Sequence, residues 1–194
     1  FKSAKDAGFI AGANIEEFTT ADTPEKARAL IQRGWDAYNR LAAVSYPTLA
    51  LVRGHCMGGG TELALACRYR IAVDEPGTRI ALPEVMLGIV PGWGGMLRLP
   101  QVIGAAPALD MMLTGRIYKG KEAVDVGLAQ YLVEGSSFDK ALELARRAAA
   151  NLPLTNFAIC SAISHMQNMS SFDAAYAEAV VAGVVNTQPA ARER

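Results

Sequence analysis

Cys56-Met57-Gly58-Gly59-Gly60-Thr61-Glu62-Leu63-Ala64-Leu65-Ala66, with Leu82-Pro83-Glu84 downstream, is the stretch on which the reading of this chain turns. Its three glycines follow an apolar run, Thr48 to Gly54, and lead directly into helix-forming residues. Without a Cβ in the way, their backbone N–H groups can approach a ligand at the positive end of a helix dipole. Glu62 sits just inside that helix, and Glu84 falls on the next loop, 22 residues further on. Amide donors for a developing negative charge, beside two candidate proton-transfer groups, make an enzyme site the leading reading.

Each residue also has a plainer interpretation. An isolated glycine triplet equally marks a tight strand-to-helix junction where close packing excludes side chains. A P-loop needs Gly-Lys-Ser/Thr after the glycines and a dinucleotide site needs G-x-G-x-x-G; this chain has neither. Glu62 alone would suit a solvated first helical turn. Leu63 to Ala66, however, make nearly the whole helix apolar and predict its burial, where a carboxylate is costly unless paired, hydrogen-bonded or functional. Glu84 stands between Pro83 and the apolar Val85-Met86-Leu87, and its plain reading is a loop carboxylate bonding a nearby amide. His55 and Cys56 are strand neighbours and point to opposite faces, which disfavours a nucleophile pair. Arg68 and Arg70 read as structural or surface ion-pair residues.

Outward from this stretch, Gly8 to Ile15 reads as a short buried strand. Thr23-Pro24-Glu25 carries an N-cap, a first-turn proline and a first-turn acid. Ala27, Leu30, Ile31, Trp35, Tyr38, Leu41 and Ala42 then recur at helical spacing to about Val44, and Pro47 stops the helix. Strands are predicted over 48–54, 69–73, 78–81 and 129–133. Helices are predicted over about 59–67, 96–99, 106–114 and 121–127, then 138–151, 154–167 and 172–185. Strands before residue 134 and helices after it give an α/β core, 1–134, followed by a helical region, 135–194.

The chain has 194 residues, 51% hydrophobic and 20% charged, which is enough apolar content for a core and too little charge for disorder. Nineteen basic residues balance nineteen acidic ones, so neither a nucleic-acid surface nor an acidic partner is expected. Three cysteines, Cys56, Cys67 and Cys160, lack metal-ligand spacing and read as free thiols in a reducing compartment. Two histidines, His55 and His165, are too few for a zinc site, so no metal is expected, and no run suits a membrane span. The chain opens Phe1-Lys2-Ser3 without an initiator methionine and reads as a fragment. The cytoplasm is the expected compartment, or the mitochondrial matrix if a leader was lost upstream.

Taken together, three ordered segments resemble the enoyl-CoA hydratase/isomerase (crotonase) family. Phe9-Ile10-Ala11-Gly12-Ala13-Asn14-Ile15 is similar to its first oxyanion segment. Gly54 to Ala64 is similar to its second, with one catalytic glutamate. Leu82 to Gly95 is similar to its third, with the other glutamate and a glycine loop. Leu113-Thr114-Gly115 and Ala123 to Leu128 add to the match.

The resemblance implies a crotonase-like spiral of ββα units, with C-terminal helices that assemble trimers or hexamers. It implies an acyl-CoA substrate and no separate cofactor, because coenzyme A is part of the substrate. It places the oxyanion donors on the Ala13 and Gly59 amides, the acid/base pair on Glu62 and Glu84, and water or substrate binding on Gly92, Gly12, Asn14, Gly58 and Gly60. Two glutamates favour enoyl-CoA hydration. An isomerase, another acyl-CoA enolate reaction, or a binding protein of the same fold are the alternatives. Asn14 stands where the family commonly has aspartate. Trp93, bulkier than most members carry, predicts a narrowed acyl tunnel. The family's opening strands are expected to be missing, and its C-terminal end shortened.

Overall fold

Thr23 opens the first helix with both its side chain and its main chain. Its hydroxyl accepts from the Lys26 amide at 3.3 Å and its carbonyl from the Ala27 amide at 3.0 Å. The resulting α1 (Pro24–Ala42) keeps Ala27, Ile31, Gly34, Trp35 and Tyr38 half-buried along one stripe. The computed structural model describes residues 1–14, 16, 17 and 20–192, and these fall into two compact units, one within 1–41 and 48–141, the other within 42–47 and 142–192.

The first unit holds two small sheets. In one, β1 (Leu49–Val52), β3 (Tyr69–Val73) and β6 (Tyr131–Val133) run parallel in the order β1-β3-β6, with Leu51 opposite Ile71 and Ile71 opposite Tyr131. In the other, β2 (His55–Met57) pairs parallel with β4 (Arg79–Ala81), which pairs antiparallel with β5 (Tyr118–Lys119). Between them run α2 (Gly59–Ala66), a 3-10 turn at Glu84–Leu87, α3 (Gly95–Ile103), α4 (Ala105–Thr114) and α5 (Gly120–Asp125). Phe9, Val52, Cys56, Leu65, Ile80, Leu82, Leu99, Met111 and Leu128 fill one continuous core.

Three expectations need correction. The strand predicted over 48–54 ends at Val52, and Gly54, with a φ of 56°, turns the chain onto the second sheet as a further strand, β2, that the sequence reading did not include. The predicted strand over 8–15 is reduced to single bridges, Gly8 to Gly54 and Ile10 to Cys56, because Gly8 (φ 131°) and Gly12 (φ 123°) bend the chain at either end. Ile15 lies outside the described residues. The helix expected to stop before Pro100 continues to Ile103.

Buried Arg70 is structural, as expected. Its guanidinium donates to the carbonyls of Ala64, Cys67 and Leu128, closing the C-terminal end of α2. The second unit takes in most of α6 (Ser137–Ala149), then α7 (Pro153–Met166), α8 (Ser171–Asn186) and the short α9 (Pro189–Arg192). Ser170 caps α8 by accepting from the Asp173 amide at 3.2 Å, and α7 and α8 pack on each other. No described helix is long and apolar enough to cross a membrane.

Candidate active site

Parallel pairing explains how three distant motifs meet. The Ile10 bridge, β2 and β4 lie side by side with Ile10 and Cys56 in parallel register and Cys56 opposite Ile80. Their C-terminal ends therefore open on one edge, where ligands of parallel sheets characteristically bind. From that edge the first segment leads to Gly12 and Ala13, β2 leads to Gly58 through Glu62, and β4 leads through Leu82-Pro83 to Glu84. The Gly58 amide donates to the Ala81 carbonyl at 3.0 Å, and the buried Thr61 hydroxyl donates to the carbonyls of Cys56 and Ala81 at 2.8 and 2.7 Å. These bonds stitch the glycine run to both strands.

A cavity of about 540 Å³ lies at this edge. Gly12, Ala13, Gly58, Gly59, Glu62, Glu84 and Gly92 line it, and the rest of its wall is mostly apolar, with Ile31, Leu87, Ile89, Val90 and Trp93 prominent. A methyl group placed on Gly59 would stand 3.8 Å from the Ala13 nitrogen, so the two amides are neighbours. Among the described residues, neither the Ala13 nor the Gly59 amide donates within the chain. Two expected site residues lie off the wall. Asn14 is exposed and caps the next turn, its Oδ1 accepting from the Glu16 amide at 3.1 Å. Gly60 is a packing position, since a Cβ there would fall 2.3 Å from the Ile10 carbonyl oxygen.

The two carboxyl groups differ in what surrounds them. Glu62 is 2% exposed, and its Oε1 accepts from the Trp93 and Gly95 amides at 2.7 and 2.8 Å. Burial lifts its pKa above the ordinary carboxylate value, and those two amides and the nearby Arg98 charge offset the rise in part. Glu84 starts a short 3-10 turn, and its buried Oε2 finds no hydrogen-bond partner among the described residues. Burial, reinforced by the charge of Glu62 and opposed by its own backbone amide, pushes Glu84 up to about 7. One group is solvated by fixed donors and tolerates charge; the other is poised to hold or release a proton near neutrality. By contrast, the Cys56 thiol is fully buried and pushed up to about 12, which removes it as a nucleophile.

Sequence reasoning missed the residues that brace this edge. The sequence marks Trp93 only by its bulk, yet its main-chain amide holds Glu62. Its indole spans Gly34 and Gly59: methyl groups at those glycines would stand 2.3 Å from Nε1 and 2.6 Å from Cζ3. Arg98 donates to the Trp93 carbonyl at 3.0 Å and to Asn39, and its guanidinium lies over the Trp35 ring, so the loop is tied to α1. Tyr38 donates to the Gly59 carbonyl at 3.0 Å. Trp35 and Tyr38 fall on the helical stripe and look like ordinary core positions. Backbone donors carry no residue signature at all.

Among the described residues, no group of three His, Cys, Asp or Glu could hold a metal ion. The chain matches the enoyl-CoA hydratase/isomerase family over residues 2–190. Solved structures are similar along nearly its full length. A Rhodopseudomonas palustris protein, provisionally named an enoyl-CoA hydratase, is 38% identical with a TM-score of 0.89, matching 97% of this chain and 72% of that one. DspI of Pseudomonas aeruginosa is 29% identical with a TM-score of 0.91, over 99% of this chain and 72% of its own. An enoyl-CoA hydratase of Bacillus anthracis is 31% identical with a TM-score of 0.87, over 96% and 72% respectively.

Proposed function

The chain belongs to the enoyl-CoA hydratase/isomerase family, with its mixed helix and strand fold, and from that premise we propose that the protein adds water across the 2,3 double bond of a 2-enoyl-CoA thioester. The observation that carries this reading is one cavity wall bearing two carboxyl groups and two neighbouring backbone amides. The thioester oxygen lodges between the Ala13 and Gly59 N–H groups. Attack of water at C3 moves the π electrons onto that oxygen as an enolate, and each fixed donor there is worth about 10²–10³ in rate. Glu62, its charge favoured by two amides, takes the proton from the attacking water. Glu84, neutral below about 7, delivers its proton to C2. Return of the proton from Glu62 to Glu84 through solvent resets the pair. Coenzyme A enters as part of the substrate, and the chemistry calls for no other group.

Isomerisation of a 3-enoyl thioester is the second reading, favoured by the same Glu84 carboxyl, which at about 7 can both take and return a proton. Glu62→Gln and Glu84→Gln in the full-length protein separate the two. Hydration of crotonyl-CoA should fall by at least about 10² in each variant. Wild-type hydration rates in either would refute the assignment. A wild-type protein that isomerises 3-enoyl thioesters without hydrating crotonyl-CoA, and keeps that activity in Glu62→Gln, would favour the second reading.

A further inference from the structure

Gly59 sits in the middle of three glycines, the most permissive backbone a chain can have, and Gly58 before it adopts φ 53° and ψ −126°. An oxyanion donor has to point in one direction, and the peptide that carries the Gly59 N–H is held on one side, its Gly58 carbonyl accepting from the Glu62 amide at 3.0 Å. Two aromatic residues from elsewhere hold the other side of Gly59. The Tyr38 hydroxyl donates to the Gly59 carbonyl at 3.0 Å, and the six-membered edge of the Trp93 indole covers Gly59. The two rings meet edge to face, with centroids 5.7 Å apart and planes at 81°. Tyr38 itself does not line the cavity, so it is placed to act through Gly59 and not on a ligand.

We propose that Tyr38 is a positioning residue for the oxyanion site: its bond to the Gly59 carbonyl fixes the following peptide, which together with its support of Trp93 stops the Gly59 backbone from rotating its N–H off the thioester oxygen. This rests on the reading of Gly59 as a donor. Burial, with Glu62 and Cys56 adding, raises the phenol to about 12, so it stays a donor throughout the neutral range.

Tyr38→Phe in the full-length protein keeps the ring and removes the hydroxyl. The expected result is a roughly tenfold fall in kcat for crotonyl-CoA, with KM changed by less than about twofold, as for a contact that matters mainly in the transition state. A chromophoric cinnamoyl thioester gives an independent signal, because polarisation of its carbonyl shifts its absorption to the red on binding. That shift should shrink in Tyr38→Phe. A purely structural role would lower Tm or raise KM and leave the shift intact. Wild-type kcat with the full red shift overturns the proposal. Absence of any shift in the wild-type protein overturns instead the reading of Gly59 on which it rests. If Tyr38→Phe does not fold, near-isosteric difluorotyrosine at position 38 ionises at lower pH. Then the red shift, and kcat relative to wild type at the same pH, should fall with that ionisation, and profiles that track wild type would sink the idea.

Discussion

Ionising Glu84 places a charge where burial and the neighbouring Glu62 both resist it, and this single group sets a pH dependence for the whole protein. Its carboxyl titrates near 4.5 when free and about 7 when folded. Below the first value both states are protonated and the group has no effect. Between the two, the unfolded chain releases its proton first, so stability falls as pH rises and stays lower above about 7. Glu84→Gln removes that loss. The stability advantage of the variant over wild type, read from urea midpoints, should therefore grow between pH 5.5 and pH 8; an advantage equal at both would clear Glu84 of the effect. Trp93 carries a second consequence at this scale. Its indole stands between the cavity and the Gly34–Tyr38 face of α1, so it bounds the space left for an acyl chain. Trp93→Ala should raise the ratio of octenoyl to crotonyl thioester turnover by roughly tenfold, the order that a few methylenes decide in an apolar pocket. An unchanged ratio would remove Trp93 from chain-length selection.

Elements decide which motifs can meet, and here the glycines do more than the strands. Gly60 lets Ile10 lie directly on the start of α2, while the Ile10 amide donates to the His55 carbonyl at 3.0 Å and the Ile10 carbonyl accepts from Met57 at 2.9 Å. A side chain at Gly60 meets backbone, which cannot swing aside. Gly60→Ala should therefore destabilise the protein by about 1–3 kcal/mol in denaturant titration. It should also lower activity, since Ala13 lies three residues beyond Ile10 on the displaced segment. An unchanged midpoint would show that the segment shifts freely. This also marks how far the sequence could be read. Helix α1 was legible from Thr23-Pro24 and its stripe, and the glycine-led α2 from apolar Leu63 to Ala66. Glu62 and Glu84 stood out because carboxylates are misplaced in such company. Strand β2 was hidden, because three residues between Gly54 and Gly58 leave no period to detect. The bracing by Tyr38, Arg98 and the Trp93 amide was hidden for another reason: the bonds of Tyr38 to Gly59, the Trp93 amide to Glu62 and Arg98 to Asn39 join residues 21, 31 and 59 positions apart and depend on orientation.

At the scale of the whole molecule, the apolar surface left exposed is the feature that a lone chain explains least. On the second unit Phe172 and Tyr176 are 84% and 72% exposed, with Phe157, Ile163, Val180 and Val184 exposed along the same helices. On the first, Met86 and Leu113 are 73% and 67% exposed, beside Val90 and Leu109. Single exposed apolar residues are ordinary, but runs of them on two-helix surfaces are characteristic of association. Cys160 is the buried apolar residue that α7 contributes, and α8 contributes none, so these two helices gain little burial from one chain. Covering an aromatic pair such as Phe172 and Tyr176 stabilises an assembly by a few kcal/mol at about 25 cal/mol per Å². The full-length protein should accordingly appear larger than a monomer by light scattering. The double variant Phe172→Glu with Tyr176→Glu should reduce that mass while keeping the circular dichroism of the folded chain, because neither side chain belongs to a core. A wild-type protein that stays monomeric at micromolar concentration would mean that these faces serve something other than self-assembly.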